Sequence, residues 1–85
     1  MTKVVRRPEA GQDVWIAIDV ARSKWAFNVR WGGEQRRLST PGSIDHLQSL
    51  VQSYAGCRMS VAYESCGFGY EIAWWCQERE IAVKQ

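Results

Sequence analysis

The stretch VWIAIDVARSKWAFNVRW, residues 14–31, holds the two patterns that decide the fold. Residues 14–20 are continuously apolar apart from Asp19, which is typical of a central strand covered on both faces. In residues 25–31 apolar and polar side chains alternate, which predicts a second strand with one buried face. We therefore predict a sheet whose first strand carries a lone carboxylate near its carboxyl end.

The sequence after residue 31 predicts a third strand and a helix. Gly32-Gly33 indicates a hairpin turn into a polar strand over residues 34–39, which has the composition of an exposed edge. Ser43 can cap a helix that ends before Gly56. The helix has apolar residues at helical spacing, namely Ile44, Leu47, Val51 and Tyr54.

The last third of the chain predicts a strand, a helix and a short strand. Residues 59–64 alternate and end, like the first strand, in a carboxylate, Glu64. A helix is expected over about residues 69–80, and a fifth strand over residues 81–83. A hairpin meander followed by right-handed crossovers places the fourth strand parallel to the first and beside it. The predicted class is α/β, with a mixed sheet.

Length and composition bound the organisation of the chain. Its 85 residues are one small domain or a piece of a larger one. Residues 1–12 are predicted to be a flexible tail, and residues 13–85 the folded portion. The longest apolar runs are only five residues, so neither a signal peptide nor a membrane span is expected. The three cysteines and His46 match no zinc-binding spacing.

Basic residues gather in the first half of the chain. Residues 1–42 carry eight Lys and Arg against four Asp and Glu, whereas residues 43–85 carry three against five. A basic patch suits a polyanion. On charge alone a solvated hairpin face is the slightly favoured explanation, because a net charge of +2 does not compel nucleic-acid binding. The candidate nucleic-acid-binding residues are Arg22, Lys24, Arg30, Arg36 and Arg37.

Asp19 and Glu64 form the candidate metal site. If the first and fourth strands are neighbours, these side chains stand at the carboxyl ends of strands about 5 Å apart. Converging carboxylates repel unless a cation or a proton lies between them, and oxygen ligands favour Mg²⁺ or Mn²⁺. An alternative is that Asp19 caps a turn and Glu64 caps the next helix, and the spacing leaves both interpretations open.

Two segments resemble the start of the DEDD-type transposases of the insertion-sequence 110 group: IAIDVARSKWAFNV and VAYESCGFGYEIAWWCQEREIAV. That family has Ile-Asp-Val in the first segment and Glu-Ala-Thr-Gly-x-Tyr in the second. The resemblance covers residues 14–85 and implies an RNase H-like (RuvC-like) domain whose Asp, Glu, Asp and Asp side chains bind Mg²⁺ or Mn²⁺ and cut or rejoin DNA. It implies that Asp19 is the first catalytic acid and Glu64 the second.

The same resemblance implies that this chain is a fragment of a longer transposase, and it implies the partners of that protein. Arg22 stands where the family has Lys, Cys66 where it has Thr, and Phe68 follows the glycine of the second motif. The other two acids and a serine domain are expected beyond Gln85, so the isolated chain is expected to be inactive. The implied partners are DNA, a guide RNA for some members, and the rest of the transposase chain or a second copy. The implied location is the cytoplasm of a bacterium or archaeon.

Adjacent tryptophans in the second helix predict an interface. Neighbouring helix positions point about 100° apart, so Trp74 and Trp75 cannot both face one core. The inward stripe is expected to contain Phe68, Ile72, Trp75 and Cys76. Trp74 and Tyr70 then face outward as an apolar patch, which predicts contact with the rest of the chain or another subunit.

Two other functions compete with a transposase. One is a non-catalytic RNase H-like module that holds nucleic acid on its basic hairpin. The other is a phosphotransferase of the sugar-kinase and actin superfamily, whose phosphate loop needs glycine after the first Asp. Val20, Ala21 and Arg22 occupy those positions and argue against the phosphotransferase.

Overall fold

A computed structural model describes residues 7–65 and 70–85 of the chain. It is an α/β fold with a five-stranded mixed sheet and two helices, as the sequence predicted at that level. The elements in chain order are β1 (Asp13–Val20), β2 (Lys24–Trp31), β3 (Glu34–Pro41), α1 (Ile44–Ser53), β4 (Arg58–Ser65), α2 (Tyr70–Glu78) and β5 (Ala82–Lys84).

The strand order in the sheet is β3-β2-β1-β4-β5. The meander pairs β1 with β2 and β2 with β3 in antiparallel fashion, whereas β4 pairs parallel to β1, and β5 parallel to β4. The predicted position of the fourth strand beside the first is therefore confirmed. The predicted edge position of β3 is confirmed as well, and β1 lies at the centre.

The sheet is covered by helices on one face only, so the prediction that β1 is covered on both faces is wrong for the described chain. Side chains of β1 alternate between buried and exposed along its whole length. The reason is topological: both crossovers move across the sheet in the same direction, and right-handed connections then place both helices on one side. Their buried residues join one core with the strands.

The other side of the sheet is called the open face below. Its membership follows from the strand pairing, because directly paired residues project from the same side. Its members are Asp13, Trp15, Ala17, Asp19, Lys24, Ala26, Asn28, Arg30, Gln35, Arg37, Ser39, Pro41, Arg58, Ser60, Ala62, Glu64, Ala82 and Lys84.

Helix α1 begins and ends where the sequence places its caps. The Ser43 side chain accepts a hydrogen bond from the backbone N–H of Asp45 at 3.2 Å, which confirms the predicted cap. After the helix, Gly56 adopts a φ of +93°, a conformation that L side chains rarely adopt. Leu47, Leu50 and Tyr54 are buried, so Leu50 joins the stripe that the sequence predicted without it.

Helix α2 has the predicted orientation. Ile72 and Cys76 are buried, and Trp75 packs against the core with the Arg79 guanidinium 4.2 Å from its ring centre. Trp74 is 70% exposed and Tyr70 is 54% exposed. Their proposed interface role stays a prediction, and Phe68 lies outside the described residues. Burial raises the pKa of the Cys76 thiol to about 11, against the opposing effect of Arg79, so this thiol stays protonated at neutral pH.

The segment before β1 is hydrogen-bonded to the domain. The backbone N–H of Gly11 donates to the carbonyl of Gly56 at 2.7 Å, and that of Arg58 donates to the carbonyl of Gln12 at 3.0 Å. Backbone contacts therefore begin before Asp13. Within the described ranges, the helices are too short and too polar to cross a membrane.

Candidate metal and nucleic-acid site on the open face

Asp19 and Glu64 are direct cross-strand partners. The parallel register of β1 and β4 pairs these two residues, so their Cα atoms lie about 5 Å apart and their side chains leave the sheet on the same side. Both residues are exposed, and both stand near the carboxyl end of their strand. The structure therefore brings together the two acids that the sequence singled out.

The two ends of the β1–β4 pair differ in their electrostatics. At the amino end the partners are Asp13 and Arg58, whose carboxylate and guanidinium groups approach to 3.6 Å. At the carboxyl end the partners are two acids. Like charges directly opposite each other destabilise a sheet, whereas opposite charges stabilise it. The pairing of Asp19 with Glu64 is therefore electrostatically less favourable than the pairing of Asp13 with Arg58.

A groove of about 890 Å³ lies over this part of the open face. Its floor contains three alanines, Ala17, Ala26 and Ala62, which leave space above the sheet. Asp19 and Glu64 line the groove together with polar residues from β2 and β3. Small side chains beside the acids thus give a ligand direct access to both carboxylates.

The opposite wall of the groove carries hydrogen-bonding groups. Arg37 and Asn28 are direct partners on β3 and β2, and both line the groove. When the Gln35 side-chain amide is turned so that its oxygen faces Arg37, this oxygen accepts hydrogen bonds from Arg37 Nε at 2.7 Å and from Nη2 at 3.0 Å. The buried Oδ1 of Asn28 has no hydrogen-bond partner within the described part of the chain. The wall therefore holds one oriented guanidinium and one unsatisfied acceptor.

The five candidate basic residues do not form one surface. Lys24, Arg30 and Arg37 belong to the open face. Arg36 projects from the helix side, where its Nη1 donates to the hydroxyl of Tyr54 at 3.5 Å. Arg22 lies in the turn between β1 and β2. The sequence grouped these residues by charge, and strand alternation separates Arg36 from Arg37.

Sequence reasoning missed Asn28 as a site residue. Its position opposite Ala17 in the β1–β2 register follows from the antiparallel pairing. Strand parity alone placed Asn28 on the polar side of β2, but only the register brings it beside the acids. Predicting this position would have required the register of the β1–β2 hairpin, which determines which residues of the two strands lie opposite each other.

The donor set suits a hard divalent cation only in part. Carboxylate oxygens are the ligands that Mg²⁺ and Mn²⁺ prefer, and Asp19 and Glu64 supply two such groups. Over residues 7–65 and 70–85 there is no cluster of three or more His, Cys, Asp or Glu able to hold a metal. A cation held by Asp19 and Glu64 would complete its shell with neutral oxygens, such as those of water, or with a phosphate.

No known protein family, curated protein or solved structure matches the chain. The likeness to DEDD-type transposases rests on the two sequence motifs, and membership of that family stays a prediction. The same holds for the RNase H-like assignment, whereas the strand order and the mixed sheet are direct observations.

Proposed function

We propose that this chain contributes two metal-binding acids to an enzyme that cleaves and joins DNA strands, as DEDD-type transposases do. The observation that carries the proposal is the direct pairing of Asp19 with Glu64 on the uncovered side of the sheet. A Mg²⁺ or Mn²⁺ ion between the two carboxylates would offset their repulsion, and a metal site therefore explains why two acids are paired at this position.

Each residue has a defined part in this chemistry. Asp19 and Glu64 would hold the cation, and the pairing of β1 with β4 places their Cα atoms side by side. A bound divalent cation supplies Lewis-acid stabilisation of the charge that develops on phosphate oxygens. Strand transfer commonly uses two cations, which need more than two protein carboxylates. We therefore propose that the isolated chain binds the metal without cleaving DNA.

A second candidate, a non-catalytic nucleic-acid-binding module, is favoured by the cationic residues of the open face. Arg37 lines the same groove as the acids, and Arg30 lies on the adjacent strand. Such a module needs these cations but does not need Asp19 and Glu64. Metal binding at the acid pair therefore separates the two candidates.

Titration with Mn²⁺, followed by NMR line broadening, tests the metal site. We expect signals of residues 19 and 64 to broaden first, and Asp19→Asn to weaken Mn²⁺ binding at least about tenfold, because it removes one of only two charged ligands. Asp13→Asn is the matched control, since Asp13 lies on the same strand and face but pairs with Arg58. Broadening centred on Glu78 and Glu80, or equal weakening by both substitutions, would refute the proposed site.

A further inference from the structure

A tryptophan stands uncovered on the open face. Trp15 lies on the central strand β1, between Arg30 of β2 and Ser60 of β4, and it is 51% exposed. A large aromatic ring at such a position usually marks a contact surface, because its apolar face remains in water until a partner covers it. Trp15 lies on the same face of β1 as Asp19.

Charge surrounds this ring in a defined pattern. At the amino end of β1 and β4, the charges of Asp13 and Arg58 offset each other in an ion pair. Away from that pair, the basic side chains of the open face are Lys24, Arg30, Arg37 and Lys84, against the acids Asp19 and Glu64. The cation directly beside Trp15 is Arg30, and the nearest acid, Asp13, is paired with Arg58. The open face as a whole carries more basic than acidic side chains.

We infer that the open face binds single-stranded DNA, with one base stacked on Trp15 and backbone phosphates bound by Arg30 and Arg37. A single strand is required because stacking on a side chain needs an unpaired base with a free face. The choice of DNA rests on the proposed function, whereas the stacking and the phosphate contacts follow from the residues on this face.

The dimensions of the face match a short stretch of such a strand. Trp15 and Asp19 are four residues apart on β1, which is about 13 Å at the usual rise of a strand. At the duplex rise of about 3.4 Å per nucleotide this distance corresponds to at most about four nucleotides, and an extended single strand spans it with fewer. A base on Trp15 therefore directs a phosphate a few nucleotides away toward the carboxylate pair.

A polyanion fits this face better than an apolar protein surface does. A second copy of the chain packed over Trp15 would also cover Arg30, its direct partner, and would have to remove that guanidinium from water. A nucleic-acid strand offers a stacking surface and a phosphate together. Proteins commonly bind single-stranded nucleic acids with aromatic rings that stack on the bases and neighbouring cations that contact the backbone phosphates.

Fluorescence anisotropy with a labelled oligothymidine, in EDTA and at low salt, tests this inference. We expect Trp15→Ala to weaken binding about 10- to 100-fold, and Trp15→Phe to retain most of the affinity because it keeps a stacking ring. Trp74→Ala is the matched control, since Trp74 is a more exposed tryptophan on α2. Arg30→Ala is expected to reduce the salt dependence of binding by about one phosphate contact.

Several results would overturn the inference. These are equal losses in Trp15→Ala and Trp74→Ala, duplex DNA binding as tightly as the single strand, or tighter binding of an RNA of matching sequence. Sedimentation that shows self-association abolished by Trp15→Ala would assign the face to a second copy instead. Because EDTA removes divalent cations, this test is independent of the metal titration. Failure of either experiment therefore leaves the other result standing.

Discussion

Leu47→Ala is expected to lower the free energy of unfolding by about 2 to 5 kcal/mol. Leu47 is fully buried on α1, where it belongs to the core between the helices and the sheet. Truncation removes apolar contacts and leaves a cavity that the neighbouring strands fill only in part. For a domain of this size the loss is a large share of the total stability, and it lowers the melting temperature by about 10 °C or more.

Urea denaturation followed by circular dichroism measures this change. Gln48→Ala is the matched control, because Gln48 is the next residue of the same helix and is exposed. We expect it to change stability by no more than about 0.5 kcal/mol. A loss for Leu47→Ala as small as that of the control would contradict the packing of α1 on the sheet.

Glu64→Lys is expected to raise stability while abolishing divalent-cation binding. The substitution places a cation directly opposite Asp19 and so reproduces the opposite-charge arrangement of Asp13 and Arg58 at the other end of the strands. Replacing repulsion by attraction is expected to add about 1 kcal/mol, which raises the melting temperature by about 4 to 8 °C. The gain should shrink as salt is added, because exposed charges are screened.

The reciprocal substitution supplies the control. Arg58→Glu creates a like-charge pair with Asp13 and is expected to lower the melting temperature by a comparable amount. Melting curves without divalent cations at low and high ionic strength measure both variants. An unchanged melting temperature for Glu64→Lys at low salt would mean that Asp19 and Glu64 do not repel each other, and the physical basis of the metal site would fail.

The sequence was sufficient to predict the pairing of the two acids, but not the surface that surrounds them. Alternation in β2 and β4 and the handedness of crossovers were sufficient to place Asp19 beside Glu64. The continuous apolar run of β1 was misleading, because it does not reveal whether the described chain covers the second face. Charge grouping failed for Arg36 and Arg37, since neighbouring residues of a strand project to opposite sides. The position of Asn28 beside the groove needed the hairpin register, which composition does not encode.

The central pairing of β1 with β4 also has a consequence for folding kinetics. Between Asp19 and Glu64 the chain forms β2, β3 and α1, so joining β1 to β4 closes a long loop, whereas each hairpin of the meander closes a short one. Contacts distant in sequence form more slowly than local ones. We expect pulse-labelled hydrogen exchange to detect protection between β1 and β2 before protection between β1 and β4, and the reverse order would contradict this. A chain folded only as far as the meander carries half of the acid pair, so the proposed cation site is complete only after β4 has joined β1.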